Sequence, residues 1–150
     1  MADLATLLDA TSDDLKRPVV PVGTWKAAAV SARLTPSKKP DKNGRDYFRG
    51  TILIGDLAEP QDDVLPDEVA AAGESLRGEL FESTMFIYNK ADMRRFGNVL
   101  TGLGVPDNGM AVKDRVAKVK EIRPEVLAEF ESETYEGETR SKVTRVYLAA

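Results

Sequence analysis

Hydrophobic positions along the chain change period three times, and those changes divide it into elements. Residues 1–18 carry a short leucine stripe, Leu4, Leu7 and Leu8, before Thr11-Ser12-Asp13-Asp14. A helix that short is marginal in water unless it docks, so this stretch is expected to be a flexible tail and residues 19–150 a single domain. Pro18 and Pro21 fix an extended lead-in, and Gly23 opens a β-run from Thr24 to Leu34. Pro36 to Gly44 breaks it with turn chemistry, and Tyr47 to Leu57 makes a second strand, predicting a long hairpin with a flexible tip. Gly78 to Tyr88 alternates as a third strand, with Phe81, Ser83, Met85 and Ile87 on one face and Thr84, Phe86 and Tyr88 on the other.

The period then becomes helical. Asn89 is a natural N-cap for a helix from Lys90 to Leu103, whose apolar positions Met93, Phe96, Val99, Leu100 and Leu103 recur every three or four residues, with Gly104 as its stop. Met110 to Ile122 is a second helix candidate, its lysines and arginines reading as a solvated face. Val126 to Glu131 returns to alternation, Glu136-Gly137 makes a turn, and Arg140 to Leu148 is the last strand. The result is a mainly β domain with one or two helices, five strands with a helix between strands 3 and 4. That is the element order of the five-stranded OB-fold barrel, although a helix-covered open sheet shares the same string.

Composition removes most catalytic readings. The 150 residues contain neither cysteine nor histidine, so disulfides, thiolate metal sites, imidazole general bases and Ser-His-Asp chemistry are all excluded. Gly102-Leu103-Gly104 lacks the rest of a dinucleotide fingerprint. Asp14-Leu15-Lys16, the one acid placed two residues before a lysine, sits in the tail with no strand to aim it. The expectation is a non-enzymatic protein with no metal and no cofactor. No apolar run reaches the roughly 20 residues of a membrane helix and no secretory leader is evident, which predicts a cytoplasmic location.

Charge adds a positive signal. The chain carries a net −4, yet residues 37–50 hold five basic and two acidic side chains. Lys38, Lys39, Lys42, Arg45 and Arg49 there interleave with Tyr47 and Phe48, whereas residues 56–82 carry nine acids against Arg77. Cations along a groove with flat rings beside them are what an unpaired polynucleotide needs, since phosphates bind the charge and bases stack on the rings. A solvated hairpin tip uses the same lysines for solubility. On strand 2, Tyr47, Arg49, Thr51 and Leu53 share one face and Phe48, Ile52 and Ile54 the other, the better core face; Tyr47 is therefore the principal stacking candidate. Phe86, Tyr88 and Tyr135 are further ring candidates, and Trp25 reads as core, lid or platform because its face also carries Ala27 and Ala29. Phe81, Phe96 and Phe130 read as core. Arg140, Lys142 and Arg145 add three cations on the last strand, but 142 and 145 differ in parity and share a face only if that strand bulges.

Three stretches together resemble a family of phage-encoded single-stranded-DNA-binding proteins. They are Asp13-Asp14-Leu15-Lys16-Arg17-Pro18 leading to Pro21-Val22-Gly23-Thr24-Trp25, the loop Ser37-Lys38-Lys39-Pro40-Asp41-Lys42-Asn43-Gly44, and the pair Leu127-Ala128-Glu129-Phe130 through Thr134-Tyr135-Glu136-Gly137-Glu138 to Lys142-Val143-Thr144-Arg145-Val146. The resemblance implies an OB-fold that coats single-stranded DNA in phage replication or recombination, together with phage replication or recombination proteins as partners. The acidic tail common in proteins of that function has no counterpart in Tyr147-Leu148-Ala149-Ala150, which leaves the acidic segment 56–82 as the candidate contact for such partners. The alternative expectation is a protein-interaction or structural phage module that uses the same barrel to bind a replication protein.

Overall fold

A computed structural model describes residues 8, 11, 17–72 and 75–149. Most of the expected tail thus lies outside the described residues. Arg17 and Pro18 at its end already meet the body, Arg17 stacking over Phe81 at 5.5 Å and pairing with Glu79 at 3.7 Å.

The strands are β1 (Gly23–Pro36), β2 (Phe48–Pro60), β3 (Phe81–Ile87), β4 (Glu125–Tyr135) and β5 (Glu138–Leu148). They form one antiparallel sheet in the order β3-β2-β1-β4-β5. Helix α1 (Pro66–Ala72) follows β2, while α2 (Lys90–Gly102) and α3 (Val112–Ile122) lie between β3 and β4. Both β1 and β2 break register, at Ala29/Ser31 and at Lys26/Ala28, where Asp56 takes a φ of 52°. Such irregularities bend a strand and raise its twist. Here the sheet curves until the outer strands β3 and β5 approach within 8 Å between Cα atoms, although they are not hydrogen-bonded neighbours. Across the inside of that curve Phe81 of β3 meets Phe130 of β4 edge to face, ring centres 5.3 Å apart.

The inner face holds the core: Ala27, Ala29, Ile52, Ile54, Phe81, Ile87, Val126, Ala128 and Phe130, closed by Phe96, Leu100 and Leu103 of α2 and its end and by Val116 and Val119 of α3. Phe96 packs directly beneath Gly50, where a Cβ would stand 2.6 Å from its ring, so only glycine permits that approach. Gly23 is required for a similar reason, with φ at 132° and the space of a Cβ already taken by Val64. The next two residues anchor the start of β1. Thr24 donates its backbone N–H and its hydroxyl to the Asp63 carboxylate, at 2.9 and 2.8 Å, and Trp25 donates its indole N–H to Pro21 O at 3.0 Å.

Helix α2 begins as its sequence predicts. Asn89 Oδ1 accepts from Asp92 N at 2.9 Å, and Asp92 Oδ2 accepts from Tyr88 N at 3.0 Å, a reciprocal cap that also fixes the end of β3. Helix α3 corrects one expectation. Arg115 is not on a solvated face but 4% exposed, its guanidinium donating to Thr101 Oγ1, Val105 O and Gly97 O at 2.8, 3.0 and 3.2 Å. It thereby ties α3 to the second half of α2 and to the turn that follows it. Replacing Arg115 with methionine strands those buried acceptors and is expected to cost about 2–4 kcal/mol in urea denaturation, against under about 0.5 kcal/mol for Lys113→Met on the exposed face.

Candidate nucleic-acid interface

Residues paired across neighbouring strands point to the same side of a sheet, so the register fixes what the outer face presents. Three rows cross β1, β2 and β3: Thr35, Arg49 and Phe86; then Arg33, Thr51 and Thr84; then Ser31, Leu53 and Glu82. A further row lies just past the strand ends, where Ser37 N donates to Tyr47 O at 2.9 Å and Tyr88 stands alongside. The face thus grades from rings and cations at one end, through two threonines whose hydroxyls lie 3.3 Å apart, to the Arg33–Glu82 ion pair at 2.9 Å.

At the aromatic end Tyr47 stands between two other rings. Its centre is 5.5 Å from Phe86, nearly perpendicular, and 5.2 Å from Tyr88, tilted by 34°. Arg45 lies over Tyr88 at 4.4 Å and Arg49 over Phe86 at 5.9 Å, placing guanidinium groups on the negative faces of the rings. Hydrogen bonds with Ser37 and with the Arg49 guanidinium hold the Tyr47 hydroxyl below its ordinary pKa. Partial burial, and then the Asp41 carboxylate, raise that of Tyr88. Tyr47 is half-buried in this cluster. Phe86, 53% exposed, is the more open ring.

The loop between β1 and β2, expected as a flexible tip, is closed by hydrogen bonds of its own. Asp41 organises it: its carboxylate accepts from Asn43 N and Arg45 N, both at 2.9 Å, while its backbone N–H donates to Arg45 O and its carbonyl accepts from Gly44 N. Local closure by an aspartate leaves Lys38, Lys39, Lys42 and Arg45 exposed around the turn. Between the loop and the sheet lies a hollow of about 560 Å³ lined by Thr35, Pro36, Ser37, Lys38, Lys39, Pro40, Tyr47 and Arg49, with no carboxylate in its walls. The amide bonds, that of Arg45 foremost, hold Asp41 below its ordinary value of 3.8. A carboxyl whose pKa falls on folding stabilises the ordered loop above about pH 3.8 and loses that contribution as pH drops through its lower folded value. Amide exchange is therefore expected to show Asn43 and Arg45 protected near neutrality and open in acid, whereas Asp41→Asn, which keeps an acceptor oxygen, removes the acid transition.

The remaining candidates separate into three groups. Trp25 is 4% exposed and belongs to the core, a correction with a clear cause: it sits in register with Ala128 on the inner face of β1, next to Ala27. Arg140, Lys142 and Arg145 do share one face, because β5 bulges at Thr144 between the pairs Phe130–Val143 and Glu129–Arg145. Their neighbours across the ladder are Glu133, Glu131 and Glu129, so these cations face acids and supply little net field; Arg145 Nε lies 3.8 Å from Glu129. The pairings of Arg140 and Lys142 were readable from the two-residue turn at Glu136-Gly137, which fixes the register on either side, whereas that of Arg145 depends on the bulge. Tyr135, 58% exposed with Arg140 over its ring at 5.2 Å, stands at the tip of this hairpin.

No protein-family model matches the chain, and no curated protein matches it significantly.

Two features escaped the sequence reading. Phe48, expected in the core, is 45% exposed because it pairs with Pro36 at the very end of the hairpin, beyond the reach of the core beneath. Arg145 also lies over Tyr147 at 4.8 Å, a ring that the bulge brings to the outer side. Among the described residues no helix is long and apolar enough to cross a membrane.

Proposed function

We propose that this chain binds single-stranded DNA, without catalysis and largely without sequence preference, on the outer face of β2 and β3 and the loop that precedes β2. The observation that carries this reading is the convergence of Tyr47, Phe86 and Tyr88 with Arg45 and Arg49 beside an acid-free basic hollow. Rings offer faces to unstacked bases, about 1–3 kcal/mol for each, and the cations exchange counterions for phosphates. A duplex, its bases already stacked, has no use for the rings.

The strand order and the approach of β3 to β5 favour an OB-fold barrel closed between those two strands, with α2 packed across it between strands 3 and 4. The segments resembling phage single-strand-binding proteins extend the proposal to phage replication or recombination in the cytoplasm of the host, with proteins of those processes as partners. A second reading, a protein-interaction module, draws on the acidic segment after β2, where Leu65 is 62% exposed. Retention on DNA-cellulose separates the two. The proposed function predicts salt-reversible retention on single-stranded but not double-stranded material; passage through both columns at low salt favours the interaction module.

A further inference from the structure

Tyr47 is a partition between two hollows of different chemistry. On one side is the basic hollow; on the other is an open depression of about 510 Å³ beyond the end of the sheet. Its apolar lining includes Pro36, Phe48, Ile87 and Met93, with Tyr47 and Tyr88 as ring walls and Lys90 and Asp46 among its polar groups. We propose that this second hollow seats a single unpaired nucleobase whose adjoining phosphate lies across Tyr47, against Lys38, Lys39 and Arg49. The inference rests on the single-strand reading above and assigns to it a specific seat.

The chemistry of the two sides argues for this division. A phosphate is favoured where the walls carry cations and no acid, and disfavoured beside the Asp46 carboxylate. A flat apolar ring is favoured where Phe48 leaves 45% of its surface to water over a floor containing Ile87, 3% exposed, since seating a base there removes apolar surface from solvent. The two groups are joined covalently in a nucleotide, and their sites share a wall made by Tyr47 with Pro36 and Ser37. Phe48 and Arg49 project to opposite faces of β2, so a base reaches the depression only by turning around the strand end, away from its neighbours. A paired base cannot make that turn. The seat therefore selects single strands by geometry as well as by stacking.

The test is Phe48→Trp in the full chain, read against the buried Trp25, which is otherwise the sole tryptophan. The variant is titrated with a fluorescein-labelled decathymidylate for anisotropy, and with unlabelled decathymidylate and a fully abasic strand of the same length for tryptophan emission. The expected result is strong quenching of the new tryptophan by decathymidylate and little by the abasic strand when both are saturating. Binding by anisotropy with no change in emission overturns the base seat and leaves the single-strand reading standing. Absence of any binding at low salt by the wild-type chain overturns both. Independently of whether Phe48→Trp folds, wild-type protein should prefer decathymidylate over the abasic strand, and Met93→Ala, altering the opposite wall, should reduce that preference by about fivefold. An unchanged preference overturns the proposal.

Discussion

Changing Tyr47 and Arg49 together to alanine is expected to weaken binding of oligo-dT by about thirtyfold or more while shifting unfolding free energy by under about 1 kcal/mol. The size follows from losing one stacked ring and one phosphate contact, about 2 kcal/mol or more in sum, at roughly 1.4 kcal/mol for each factor of ten. The small stability cost follows from position: neither side chain belongs to the core, Tyr47 being half-buried among surface rings and Arg49 exposed. The paired change of Arg140 and Lys142 to alanine serves as the contrast. Those cations lie opposite Glu133 and Glu131, so removing them changes the local field far less and should lower affinity by only a few-fold. Anisotropy titrations of the two double variants at one salt concentration, with urea melts of each, give the comparison. Equal losses would move the interface to the β4–β5 hairpin.

The second large effect concerns the support behind that face. Phe96→Ala is expected to destabilise the fold by about 3–5 kcal/mol, measured as a lowered urea midpoint at unchanged slope. Phe96 is 1% exposed, and its ring fills the space directly under Gly50, the residue between Arg49 and Thr51. Alanine leaves a void that the sheet, held by β1 and β3 on either side, closes only in part. Gly50→Val attacks the same contact from above, forcing a branched side chain into a ring that a Cβ alone would approach to 2.6 Å. A midpoint within experimental error of wild type for both variants would mean that α2 does not pack where the structure places it.

Much of this architecture was legible in the chain because its elements obey clean periods. Strict alternation from Phe81 to Ile87 assigned both faces of β3, and the Asn89 cap with Gly104 beyond the last turn bounded α2. The aromatic and basic cluster was legible for a related reason. Tyr47 and Arg49 are two residues apart in the predicted strand Tyr47 to Leu57, so their common side needs no knowledge of partners, even though β2 itself begins at Phe48. What failed required partners. Trp25, open between core, lid and platform, goes to the core where its cross-strand neighbour is Ala128, and Arg115 is drawn inward by Gly97 O and Thr101 Oγ1 of another helix and by Val105 O beyond it. The three cations of β5 looked unopposed along the sequence but stand opposite three glutamates of β4. The bulge at Thr144, which decides whether Arg145 joins Lys142, leaves no signature in alternation alone. Phe48 shows a further limit: alternation gives the side a residue points to, not whether the core extends that far.

The anatomy of the proposed interface carries an energetic expectation, coating rather than tight recognition. Cations stacked on rings, as Arg45 is on Tyr88, remain available to phosphates while keeping their side chains ordered, which reduces the entropy lost when a strand arrives. If the proposed strand binding is built on Lys38, Lys39, Lys42, Arg45 and Arg49, most of its free energy is expected from counterion release, with the overall charge of −4 mattering less than the local field of the loop.

Single-strand binding by this surface is decided by the salt dependence of oligo-dT anisotropy, run beside a blunt duplex of the same length. With some three to five of those cations engaged, log affinity should fall linearly with log salt at a slope of about −2 to −3.5, and the duplex should bind far more weakly throughout. Affinity for the duplex equal to that for the single strand, or no binding of either at low salt, would contradict the account.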